Sequence, residues 1–137
     1  MTTNIGDYVH FIPAVKERPE FPACLDSRLV NSIDELKEAL ATKRDCIAWD
    51  TETSSLNPEE GFIVGYSFSF DGKVGYYVPV KHVTGTSLGH EALELLYQRL
   101  LQAKVTFVYN MRFDFRYMEY SGFDMSKVKY YDVSIGV

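Results

Sequence analysis

The chain has 137 residues, 46% hydrophobic, 15% aromatic and 24% charged, with a formal net charge of −5. That length and apolar content supply the core of one domain and exclude a disordered chain. The acidic balance argues against gripping duplex nucleic acid by a bare surface, since such binding neutralises phosphates, but leaves open a nuclease whose divalent cations meet them.

Cys24 and Cys46 form neither a C-x-x-C pair nor a disulfide framework, which points to a reducing compartment rather than secretion. No apolar run approaches membrane-spanning length, and the N-terminus lacks a signal-peptide pattern. The expected location is the cytoplasm, with no membrane partner.

Residues 1–30 read as an irregular arm broken by Pro13, Pro19 and Pro22, with Tyr8–Ile12 fit for a short edge strand. His10 within it reads as a surface or packing residue. Ser32 and Glu35 form a capping box for a helix whose apolar face is Ile33, Leu36 and Leu40, and Lys43-Arg44-Asp45 ends it. A strand over 46–50 follows and runs into Asp50-Thr51-Glu52-Thr53. Positions two apart in an extended chain share a side, so Asp50 and Glu52 face one small volume. Like charges that close raise each other's pKa unless a cation lies between them, and oxygen-only ligands suit magnesium or manganese. A solvated acidic turn accounts for the same spacing.

Residues 54–61 are a loop of turn residues in which Leu56 is the apolar exception, fit to plug the core edge. In 62–70, Phe62, Val64, Tyr66, Phe68 and Phe70 fall on one strand face and Gly65, Ser67 and Ser69 on the other. Asp71-Gly72 turns the chain into a partner strand over 74–80, and Gly65 and Gly75 leave room for close approach. His82 in the 81–89 loop reads as exposed. Leu93, Leu96, Tyr97, Leu100 and Leu101 give the helix 90–102 a core-facing stripe. A buried strand over 105–109 follows. Asn110 has the right type to cap a helix over 111–120 that Gly122 closes, and a short strand over 128–131 precedes Asp132. Asp114 in that helix's first turns is also explained by dipole compensation.

Taken together, these stretches resemble the 3′→5′ proofreading exonuclease domain of family A DNA polymerases, within the DEDD exonucleases of ribonuclease H-like fold. Asp50-Thr51-Glu52-Thr53 with Leu56 is similar to the family's first motif, and Asn110 to Asp114 to its second. Tyr76-Tyr77-Val78-Pro79-Val80 with His82 resembles the intervening strand, and Tyr131-Asp132 the structural Tyr-Asp that follows. The resemblance covers about residues 30–137. It implies an α/β fold with an antiparallel meander of 46–50, 62–70 and 74–80, extended in parallel by 105–109 and 128–131. It divides the chain into an arm, 1–30, and a partial exonuclease domain, 31–137.

The resemblance further implies hydrolysis of the terminal phosphodiester of single-stranded DNA at its 3′ end by two divalent ions, Mg²⁺ or Mn²⁺, about 3.5–4 Å apart. Asp50 would bridge both, Glu52 would serve the ion holding water, and Asp114 the other. Leu56 would wedge against the terminal base, with Thr51, Asn110 and Phe113 along the strand's path. The location implied is the cytoplasm of a bacterial or bacteriophage-infected cell. The family's third motif, Tyr-x-x-x-Asp, does not occur after Asp132. The expectation is therefore a chain weak alone, with apolar sheet surface exposed, completed by exonuclease and polymerase segments on the same or a separate chain. Two rivals are an RNA exonuclease of the ribonuclease D type, against which the Tyr-Val-Pro-Val strand speaks, and a non-catalytic fragment that assembles with a complementary chain.

Overall fold

A computed structural model describes residues 26–134. In chain order it contains β1 (Asp26–Leu29), α1 (Ile33–Leu40), β2 (Cys46–Thr53), β3 (Ile63–Ser69), β4 (Val74–Pro79), α2 (His90–Gln102), β5 (Val105–Val108), α3 (Met111–Tyr120), a 3-10 turn at Met125–Lys127 and β6 (Tyr130–Asp132). The six strands form one sheet in the order β1-β4-β3-β2-β5-β6. β2, β3 and β4 are the antiparallel meander; β5 joins β2 and β6 joins β5 in parallel. The expected mixed α/β sheet is what forms.

β1 corrects the expectation of irregular chain for residues 26–29. Asp26–Leu29 pairs in parallel with Val74–Tyr77 and extends the sheet beyond β4. The proposed Tyr8–Ile12 strand, His10 and Cys24 lie outside the described residues. At α1, the Ser32 hydroxyl accepts from the Glu35 amide at 3.1 Å. Glu35 reaches back to accept from the Asn31 amide at 2.9 Å, so the capping box forms.

One face of the sheet carries all three helices. Trp49 of β2 stacks on Phe115 of α3 with ring centres 6.0 Å apart. The Tyr66 hydroxyl of β3 donates to the Ala92 carbonyl of α2 at 2.8 Å. Arg99 of α2 is buried and donates to the carbonyls of Leu40, Thr42 and Arg44, closing the end of α1. Burying that guanidinium is tolerable because backbone acceptors receive it. No helix among the described residues covers the opposite face, where Phe107 and Tyr131 meet ring to ring and Ala48 is exposed.

The even-numbered face of β3 holds only in part. Tyr66 and Phe68 are in the core, but Phe62 is 40% exposed and Ile63 is buried instead. The β2–β3 register shifts between Glu52 and Thr53, where Glu52 faces Gly65 and Thr53 faces Ile63. One extra residue reverses which side chains point inward.

Candidate active site

β2 outruns its neighbour. Its pairing with β5 ends at Ala48 opposite Phe107, while β2 continues to Thr53. Asp50 and Glu52 therefore lie within a strand rather than beyond the end of one at residue 50, and one edge of β2 there is left for another element. After β5 the chain reverses at Asn110, whose φ of 69° is left-handed, a conformation that asparagine tolerates better than most residues. α3 then packs into the gap.

Asn110 stands at the N-cap position of α3 as expected, but its side chain makes no capping hydrogen bond. Asp132 takes that part from the neighbouring strand. Its Oδ1 accepts from the Asn110 amide at 2.9 Å and its Oδ2 from the Met111 amide at 2.7 Å. The Ser134 amide and hydroxyl also donate to it. Burial pushes the Asp132 carboxyl up, but these donors prevail and hold it at about 2.

So anchored, α3 brings Asp114 to the free edge of β2. Asp114 is 1% exposed. Its Oδ1 accepts from the Thr51 amide at 3.1 Å and from the Thr51 hydroxyl in a short contact. Among the described residues no donor reaches its buried Oδ2. Within hydrogen-bonding reach is the Asp50 carboxyl, another acceptor, so the contact is favourable only with a proton or cation between them. Burial raises Asp114 to about 7. Burial, then the charges of Asp114 and Glu52, raise Asp50 well above the carboxylate range. Burial also raises Glu52 to about 7.

On the sheet face opposite the helices, Glu52 stands opposite Gly65, and Gly65 opposite Pro79. The Tyr77 ring lies across Gly65: a Cβ there would come within 2.5 Å of Tyr77 Cζ and 2.9 Å of the Val78 carbonyl. The Tyr77 hydroxyl and His82 Nε2 are hydrogen-bonded at 2.7 Å, and the His82 amide donates to Ser87 Oγ at 2.7 Å. Burial and the Glu52 carboxylate both raise the Tyr77 phenol.

The loop after β2 is fastened to α3. Tyr117 donates to the Ser55 carbonyl in a short contact, and the Tyr120 hydroxyl donates to Glu59 at 3.0 Å. Leu56, next to Ser55, is 75% exposed, so it does not plug the core edge. Phe113 is half-buried, its ring 5.3 Å from that of Tyr117. Thr51 is buried, with its side chain turned to Asp114, behind the acidic pair rather than in front of it.

An all-oxygen, negatively charged donor set with one orphaned buried oxygen fits a hard divalent cation. Asp50 and Asp114 are already together. Among the described residues no three acidic, histidine or cysteine side chains are gathered into a cage, so Glu52 acts on Asp50 through charge without closing on the pair. Sequence reasoning missed Thr51 as the anchor of Asp114, Tyr117 as the loop fastening, and Tyr77 with His82 beside Glu52. Gly65, facing Glu52 across a strand pair, was the readable signal for the last.

The 3′-5′ exonuclease family of family A DNA polymerases matches residues 27–135 of this sequence. The chain belongs to that family. DNA polymerase I of Borreliella burgdorferi is 29% identical over 93 residues, 67% of this chain, which spans only 10% of that polymerase. Among solved structures, the catalytic core of Trypanosoma brucei RRP6 aligns with a TM-score of 0.64 and 21% identity, over 81% of this chain and 30% of that one. The Aedes aegypti Nibbler EXO domain aligns with a TM-score of 0.58 and 13% identity, over 78% and 52%. At these identities the likeness concerns the fold, and it agrees with the ribonuclease H-like exonuclease architecture of the family.

Proposed function

We propose that this exonuclease-family chain supplies the acidic site for metal-dependent removal of nucleotides from the 3′ end of single-stranded DNA, as part of a proofreading DNA polymerase. The observation that carries this reading is the buried Asp114 carboxyl, in reach of the Asp50 carboxyl and with one oxygen, Oδ2, that no donor among the described residues meets. Building such a pair costs stability unless a cation or proton neutralises it.

Asp50, Glu52 and Asp114 would hold two magnesium or manganese ions. When bound, these supply a water nucleophile at neutral pH and stabilise the charge on the leaving 3′-oxygen. Thr51 fixes one oxygen of Asp114 and leaves the other without a donor among the described residues. Leu56, exposed on a loop that Tyr117 and Tyr120 fasten, would press on a terminal base, and Asn110 and Phe113 at the start of α3 would line the strand's path. In the family the resemblance points to, a Tyr-x-x-x-Asp helix adds a tyrosine and a fourth carboxylate to these three acids, and such a helix is the complement supplied in the test.

The test is single-turnover digestion of matched 5′-labelled DNA and RNA oligonucleotides with manganese, using the chain together with a polypeptide bearing the Tyr-x-x-x-Asp helix. Stepwise 3′ shortening of DNA in preference to RNA, abolished by Asp50→Asn, is expected. Preferential digestion of RNA would replace the polymerase reading with the ribonuclease D type. Shortening that survives Asp50→Asn would remove the acidic site from the chemistry.

A further inference from the structure

We propose that Tyr77 is a positioning residue for Glu52, and that His82 holds the Tyr77 hydroxyl in place for that task. The inference deepens the exonuclease reading and rests on it for the role of Glu52.

Three observations converge on the pair. The first is space. Gly65 is the cross-strand partner of Glu52, and its lack of a side chain lets the Tyr77 ring lie over the strand toward the Glu52 side. Any Cβ at 65 would collide with both the ring and the Val78 backbone, so β3 leaves this path open only because residue 65 is glycine.

The second is the hydrogen-bond inventory. A tyrosine hydroxyl has one proton to give, and an ionised carboxylate can only accept. The 2.7 Å contact between Tyr77 and His82 Nε2 can run either way, according to the imidazole tautomer. If Nε2 carries the proton, His82 donates to the phenol oxygen and Tyr77 keeps its own proton for Glu52. That assignment makes a directed chain, His82 to Tyr77 to Glu52, in which each group is used in its neutral donor form or as the final acceptor.

The third is that His82 is itself held. Its amide donates to Ser87 Oγ, and Ser87 Oγ lies 3.2 Å from the His82 carbonyl. The preceding Val80 and Lys81 amides both donate to the Val64 carbonyl, next to Gly65. An exposed loop histidine is thus fixed against the very stretch of β3 that faces Glu52.

A carboxylate expected to hold an ion needs its oxygens aimed, and groups in this indirect position commonly change metal affinity by about 10–100-fold. Glu52 stands apart from the Asp50–Asp114 contact, so its aim is set by its own surroundings, among which is the Tyr77 ring over Gly65.

The experiment observes side-chain carboxyl carbons by ¹³C NMR in the metal-free 137-residue chain, then titrates manganese. Tyr77→Phe and His82→Ala should each shift the Glu52 carboxyl resonance and leave that of Asp132 in place. His82→Gln, which keeps an N–H near the ring nitrogen's position, should restore it. Tyr77→Phe should also weaken manganese binding about tenfold with the melting temperature unchanged. A Glu52 resonance indifferent to Tyr77→Phe would overturn the inference. A wild-type chain that binds no manganese, yet whose Glu52 resonance responds to Tyr77→Phe, would defeat the exonuclease reading while supporting the Tyr77–Glu52 relationship.

Discussion

The Thr51 amide donates to Asp114 Oδ1 at 3.1 Å, joining residues 63 positions apart. Here β2 has run past β5, and a carboxylate from α3 takes a backbone donor that the β5 ladder no longer reaches. Removing the Thr51 hydroxyl while keeping the strand tests this joint. Thr51→Val should cost about 1–3 kcal/mol in urea unfolding, because it removes a donor to a buried carboxylate. An unchanged midpoint would mean that the amide alone holds Asp114.

The acidic pair makes the metal-free chain sensitive to rising pH. An ordinary aspartate titrates near 4, whereas Asp114 is raised to about 7. Between those values the folded chain binds more protons than the unfolded one, so the stability present below about pH 4 is lost as pH rises through about 7. Glu52 acts in the same direction. Urea midpoints should fall between pH 5 and pH 8, by on the order of 2 kcal/mol, and Asp50→Asn should recover much of the loss at pH 8. A midpoint that rises over this interval would be incompatible with the pair.

Asp132 has the opposite sign. Its carboxyl is held down to about 2 by donors at the start of α3 and by Ser134. The stability it contributes is therefore present above about pH 4 and lost as pH falls through 2. Asp132→Asn should destabilise the chain at pH 7 by about 1–2 kcal/mol, an amount reduced for partial solvent screening. Unfolding curves of the two proteins should converge near pH 2; a gap of constant size would assign the effect to packing instead of charge.

Gly61 allows the loop bearing Leu56 to close. A Cβ there would lie 2.6 Å from the Tyr117 hydroxyl and 2.8 Å from Ser55 Cβ. Gly61→Ala should cost about 1–3 kcal/mol, and less in a Tyr117→Phe background, because one colliding atom is gone. A double-mutant cycle of thermal melts reads the coupling, and strict additivity would disconnect Tyr117 from the loop.

Most of the sheet was legible because period-two alternation and the Asp71-Gly72 turn act locally. The acidic strand was legible too, since Asp50 and Glu52 are two positions apart. What escaped depends on partners distant in sequence. Asp132 replaced Asn110 as the cap because strand pairing of β5 with β6 brings it to the start of α3. β1 was hidden because its four residues are all exposed and show no alternation. Phe62 and Ile63 exchanged faces through a register shift against β2 that neither strand's own pattern announces.

In the proposed exonuclease site, Asp50 and Asp114 share a divalent cation. Calorimetric titration of manganese into the metal-free chain tests it most directly, with Asp50→Asn as the comparison. Weak saturable binding by the wild type is expected, with at least about a tenfold loss in Asp50→Asn, since a carboxylate ligand has been removed. Equal binding by the two proteins would contradict it.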